Sequence, residues 1–164
     1  TTIILVLSSC TDKRSKLMTE IKKVEEQISA NPELFDMYMG QKLIDSYVNY
    51  TNSFPNDTIN SELLYKAALA SLGINNPKQS LTFLDKIISN YKNSHIYPEA
   101  ILYKGLIFES NLNNIDSARI WYESFIEQYP EHPLTNDIKI SLEYLGKPYE
   151  EVIDLFTQKQ TETE

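Results

Sequence analysis

One spacing constrains this chain more than any other feature. Phe54, Tyr91 and Tyr129 lie 37 and then 38 residues apart, and each stands just before a run of breaking residues. The register holds through the segments that precede them. Leu43, Tyr47, Tyr50 and Phe54 correspond to Ser80, Leu84, Ile87 and Tyr91, and these to Ala118, Tyr122, Phe125 and Tyr129. The segments after the breaks repeat as well: Leu64, Tyr65, Ala67 and Ala68 correspond to Leu102, Tyr103, Gly105 and Leu106, each by 38. Within each segment the apolar residues recur at steps of three and four, the period of one helix face. A unit of this size holds two short helices and buries its apolar face only against neighbouring units. The expected architecture is all-α, a stack of antiparallel helical hairpins.

Breaking residues set the boundaries. Leu17, Ile21, Val24 and Ile28 form an amphipathic stripe over a helix at 17–30, closed by Asn31-Pro32. This helix is expected to pack on the repeats. The repeat domain is expected over 33–159. Its helices are read from Glu33 to Phe54, Ser61 to Leu72, Pro77 to Tyr91, from Pro98 up to an asparagine-rich turn at Asn111 to Asn114, Asp116 to Tyr129, Leu134 to Leu145 and Pro148 to Lys159. Ser61 reads as an N-cap and Gly73 as a helix-ending glycine. Pro77 suits the first helical position. Residues 160–164 read as a polar tail.

The segment Ala118-x-x-x-Tyr122-x-x-Phe125-x-x-x-Tyr129-Pro130 resembles the second helix of a tetratricopeptide repeat. A small residue admits the paired helix, two aromatics fill the gap, and proline prevents the helix from continuing. The middle unit carries Ser80, Leu84, Ile87 and Tyr91 at these places, with Lys92 for proline, and the first carries Leu43 at the small position. The family unit is about 34 residues, so the units here are slightly extended. Such extended repeats, ending in Tyr-Pro-x-His-Pro, are similar to those of Gram-negative envelope proteins of the outer-membrane-assembly and Tol–Pal cell-division kinds. The resemblance implies an α-solenoid whose first helices line a concave, protein-binding surface. Tyr65, Ser71, Tyr103 and Glu109 are the expected groove residues, chosen because they lie on first helices.

The opening Ile3–Leu7 is an apolar run, followed by Ser8, Ser9 and the sole cysteine, Cys10. It falls far short of the ~20 residues that span a bilayer, and it has the character of a signal-peptide core whose start lies upstream. Leu7-Ser8-Ser9-Cys10 resembles the lipobox of bacterial lipoproteins. The resemblance implies cleavage before Cys10 and acylation there, with 1–9 as residual signal peptide and 10–16 as a lipidated tether. Several acyl chains anchor stably where one does not. The expected location is the cell envelope, at the outer membrane facing the periplasm.

The formal net charge of −8 offers no basic footprint for nucleic acid. One cysteine permits no intrachain disulfide. His95 and His132 stand alone in loops between hairpins, without metal-site spacing, and no phosphate loop or nucleophile elbow occurs. The expectation is a scaffold and not an enzyme, with no cofactor or metal, binding a protein partner. An alternative of a different class is a lipoprotein whose tyrosine-rich repeats bind a glycan or nutrient.

Overall fold

The computed structural model describes the backbone of residues 2–148 and 150–153, and the side chains of 12–148 and 150–153. Among the described residues there is no strand. The helices are α1 (Thr2–Ala30), α2 (Met37–Ser53), α3 (Asn60–Gly73), α4 (Pro77–Asn90), α5 (Tyr97–Ser110), α6 (Ile115–Gln128) and α7 (Thr135–Tyr144). Helical backbone resumes at 150–153. Contacts divide the chain into two compact units between Ala100 and Ile101, inside α5.

In the first unit α1 packs on α2, α2 on α3 and α3 on α4. Leu17, Ile21 and Val24 of α1, Ile44, Tyr47 and Tyr50 of α2, Leu64 and Ala67 of α3, and Leu84 and Ile87 of α4 are buried. The stripe read on α1 is therefore its packing face. In the second unit Ala118, Tyr122 and Phe125 of α6 are fully buried, Ile107 of α5 is nearly so, and α7 packs on α6.

The turns that end the hairpins are copies of one another. Phe54, Tyr91 and Tyr129 each donate a backbone hydrogen bond to the residue four before: Tyr50, Ile87 and Phe125. Three residues further, Asp57, Ser94 and His132 donate back to those aromatics. The side chains of Asp57, Ser94 and His132 then accept from the backbone N–H two residues on, at Ile59, Ile96 and Leu134. The periods of 37 and 38 are thus reproduced bond for bond.

The turns inside the hairpins also match. Asn75 and Asn113, 38 apart, adopt left-handed backbone with φ of 58° and 49°. Asparagine tolerates that region better than other residues with a Cβ. The next residues, Asn76 and Asn114, cap α4 and α6 by accepting from Gln79 and Ser117 N–H.

Several boundaries differ from the sequence expectation. A 3-10 turn over Pro32–Leu34 precedes α2, which starts at Met37 behind the N-cap Asp36, not at Glu33. Ser61 is not a cap but lies within α3, buried, accepting from the Ser94 hydroxyl at 2.8 Å. Gly73 is the last residue of α3 without left-handed backbone. It is small because the Phe35 ring sits where its Cβ would be. Residues 11–16, expected as a tether, continue α1 without a break. The Cys10 side chain, most of the helix expected from Pro148 to Lys159, and the 160–164 tail lie outside the described residues.

Two polar junctions fix α1. Arg14 donates through Nε and Nη2 to one oxygen of Asp57, both at 2.8 Å, and the Tyr50 hydroxyl donates to that oxygen at 2.7 Å. Further along, Glu25 accepts from Lys66 Nζ at 2.7 Å and from the Tyr47 hydroxyl at 2.8 Å, so one carboxylate ties α1 to α2 and α3.

Candidate binding surface

The four residues expected to line a groove are not equivalent. On α3, Tyr65 is half-exposed, whereas Ser71 is fully buried. Its hydroxyl donates to the Ala67 carbonyl at 2.7 Å and lies 3.3 Å from the Gln79 amide oxygen. Ser71 therefore belongs to the α3–α4 interior and offers nothing to a partner. On α5, Tyr103 is half-exposed, and Glu109 is half-buried with its carboxylate accepting from the Tyr122 hydroxyl. Each pair is six residues apart in sequence, which separates its members by about 120° around the helix axis. Neither pair shares a face.

A different set of α3 side chains is open to solvent. Lys66 and Leu69 are exposed, and with half-exposed Glu62 and Tyr65 they follow the three-and-four spacing of a single face. Leu69 is 37% exposed, enough to add apolar contact to a polar strip. Lys66 reaches across to Glu25 of α1, so the α3 strip continues onto α1 through an ion pair. Burial alone would raise the Glu25 carboxyl, but hydrogen bonds from Lys66 and Tyr47 outweigh it and hold the group below its ordinary range. The same burial, with the Glu25 carboxylate beside it, pushes the Tyr47 phenol well above its usual range. These groups stay ionised and neutral, respectively, across the physiological range.

On α5 the half-exposed Tyr103 stands where Tyr65 does, and the exposed Leu106 takes the place of buried Ala68, while Ile107, in the place of Leu69, is buried. Lys104 between them turns inward. It is buried, and its ammonium sits 3.8 Å from the centre of the Trp121 ring, a cation–π contact that offsets part of the cost of burying charge. The sequence carried no signal for Lys66, Leu69 or Lys104. Helix periodicity was visible, but α3 and α5 are apolar around most of their circumference, and facing could not be read from it.

Why the hairpins close so tightly is clearest in the second unit. A Cβ at Gly105 would lie 2.5 Å from two atoms of the Tyr122 ring, which is itself fully buried. The small residue on α5 and the large one on α6 therefore form a complementary pair. The same places on α3 and α4 hold Ala67 and Leu84, both completely buried. This complementary pairing, repeated at a fixed offset and followed each time by the same hydrogen-bonded turn, is what a helical-repeat family should register. Residues 62–94 and 99–132 match the family model described as Tetratricopeptide repeat. Both segments are tetratricopeptide repeats. The first repeat covers α3 and α4 and ends on Ser94. The second covers α5 and α6 and ends on His132, the residue that does the same work in its turn. The α1–α2 hairpin lies outside the matched segments but closes on the same turn at Asp57. Neither the comparison with curated proteins nor that with solved structures gave a match.

Among the described residues no cluster of three or more His, Cys, Asp or Glu could hold a metal ion. Nor is any helix among them long and apolar enough to cross a membrane. Tetratricopeptide repeats act as protein–protein interaction scaffolds, and no catalytic domain is indicated by the match.

Proposed function

We propose that this chain is a scaffold of a bacterial cell envelope that captures a protein partner on the first helices of its repeats and is held to the membrane by a lipid on Cys10. The observation that carries the partner-binding reading is the family match over two consecutive repeats, whose first helices leave Tyr65, Lys66 and Leu69 on α3, and Tyr103 and Leu106 on α5, open to solvent. Mixed amphipathic strips of this kind suit an extended peptide or a partner helix, because tyrosine and leucine supply area and the charges set register. The acidic balance of the chain supports a protein partner over nucleic acid. Support for the anchor comes from sequence: an apolar run, two serines and a lone cysteine in lipobox order. A location at the outer membrane, facing the periplasm, follows from that reading.

Two experiments separate the parts. Pull-down from detergent-solubilised envelopes, with Tyr65→Ala combined with Leu69→Glu, should lose the captured protein while the helical circular-dichroism signal stays unchanged. Capture that survives this pair and a Tyr103→Ala, Leu106→Glu pair would remove the first helices as the binding surface. Expression of the complete gene with Cys10→Ala should move the protein from the membrane fraction to the soluble one. Unchanged fractionation and unchanged mass after lipase treatment would remove the anchor.

A further inference from the structure

A cleft on the first unit meets the solvent-facing strip of α3 at Glu62. Its volume is about 770 Å³, within the size range of small-ligand sites. The α2–α3 turn and the start of α3 form one wall, with Thr58, Ile59, Ser61 and Glu62. The end of α4 and the following turn form the other, from Ser89 to His95. The two walls are joined at the base, since Ser94 donates to Ser61 at 2.8 Å. The Tyr91 hydroxyl lies 3.5 Å from the Pro55 carbonyl, which orients the ring. The cleft is therefore preformed and does not depend on a ligand to assemble it.

Its chemistry is selective by what it balances. Glu62 contributes one negative charge and Lys92 one positive, so neither an anion nor a cation is favoured. His95 Nε2 stands 3.7 Å from Glu62 Oε1, beyond hydrogen-bonding range. One carboxylate and one imidazole are too few for a metal. Apolar surface makes up somewhat more than half of the lining, and Ile59 and the Tyr91 ring contribute to it. Beside it stand groups that both donate and accept, Asn90, Asn93, Ser89 and Thr58, so the cleft is amphipathic and nearly neutral. Asn93 and Lys92 are exposed and make no side-chain hydrogen bond among the described residues. Sugar hydroxyls have the same dual character, and the C–H face of a pyranose fits against a tyrosine ring.

The equivalent turns lack this set. Pro55 and Pro130 stand where Lys92 stands, and Glu131 stands where Asn93 stands. The middle turn alone combines a tyrosine with a lysine–asparagine pair, although its backbone follows the other two. We propose that this cleft binds a short neutral oligosaccharide. This site shares Glu62 with the solvent-facing strip of α3, but Tyr65 and Leu69, whose substitution tests partner capture, lie outside it, so the two readings fail separately.

The direct experiment is saturation-transfer NMR on the full chain with maltotetraose, cellotetraose, xylotetraose and chitotetraose as probes, followed by 15N shift mapping of any that respond. At least one probe should show transfer and move amide signals within 58–95. Glu62→Gln with Asn93→Ala should weaken that binding by about tenfold, the loss expected for hydrogen bonds left unmade. A second variant guards against misfolding: Lys92→Pro with Asn93→Glu converts the turn to the residues found at 130 and 131, which the fold already accommodates, and should abolish binding. Lack of transfer from all four probes would overturn the proposal. So would shifts mapping outside 58–95, unaltered binding in both variants, or a peptide that occupies the cleft where none of the sugars does.

Discussion

Gly105→Ala is the sharpest test of how the hairpins close. In an isolated helix alanine is favoured over glycine by about 1 kcal/mol, so propensity alone predicts a more stable protein. The structure predicts the reverse. The new Cβ would stand 2.5 Å from Tyr122 Cδ1 and Cε1 and 3.3 Å from Cγ, against an ordinary carbon–carbon contact of about 3.5–4 Å. The ring must retreat by about 1 Å, yet it is fully buried and its hydroxyl is held by Glu109. Overpacking of this kind costs about 1–3 kcal/mol. The two effects leave a net loss of up to about 2 kcal/mol, a fall of up to roughly 1 M in the urea midpoint. The decisive arm is the same change in a Tyr122→Leu background. Leucine at 122 with alanine at 105 recreates the Ala67 and Leu84 pair of the preceding repeat. With the ring gone the alanine should be stabilising there, by about 1 kcal/mol. Urea titrations of the four proteins, followed by far-UV circular dichroism, give both values and the coupling between them. If alanine has the same effect in both backgrounds, to within about 0.3 kcal/mol, the Gly105–Tyr122 contact does not set the hairpin.

The remaining expectations concern caps, turns and pH. Ser80→Ala should raise stability by about 1 kcal/mol in thermal unfolding, because the Ser80 hydroxyl is buried without a partner and alanine already fills the matching place at 118. Asn113→Ala should lower it by about 1 kcal/mol, since alanine tolerates the left-handed backbone poorly; Asn113→Gly should not. Hydrogen bonding from Arg14, aided by Tyr50 and the Ile59 N–H, outweighs burial and holds the Asp57 carboxyl below its ordinary 3.8. A depressed native pKa contributes stability above the unfolded value and loses it as pH falls through the native one. The α1 junction should therefore be intact at pH 5 and weaken below about pH 4. Hydrogen exchange at Leu17 and Ile21 across pH 5 to 3 reads this, and Asp57→Asn should remove most of the pH dependence of that exchange.

Much of the architecture was legible because it is written in repeated spacing. The aromatics at 54, 91 and 129 mark equivalent turns, and the asparagines at 75–76 and 113–114 mark the bends inside hairpins. What could not be read depends on distant partners. Gly73 ends α3 where a helix-ending glycine was expected, but its smallness answers to Phe35, and the left-handed residue is Asn75. Ser61 has the chemistry of a cap, yet its hydroxyl meets Ser94, 33 residues away. The polar residues at 11–16 looked like a tether; Arg14 instead reaches Asp57 and that part of α1 lies along the first hairpin. Ser71 was placed in a groove because it lies on a first helix, and a helix that is apolar nearly all round gives no indication of its outward face.

The recurrent turn explains how units so different in sequence keep one period. Its backbone needs a single service from the side chain three residues after the aromatic: an acceptor for the N–H two residues on. Carboxylate, hydroxyl and imidazole all provide it, at Asp57, Ser94 and His132, with separations of 3.3, 3.1 and 3.2 Å. Because the requirement is so loose, each residue is free to take a second partner. Asp57 uses its other oxygen to receive Arg14 and Tyr50 and so docks α1. Ser94 closes onto Ser61 and forms the base of the cleft. His132 sets its ring edge-on against Phe125, 5.1 Å away, and packs the end of α6. The constant acceptor maintains the repeat, and its variable second contact gives each turn a separate role.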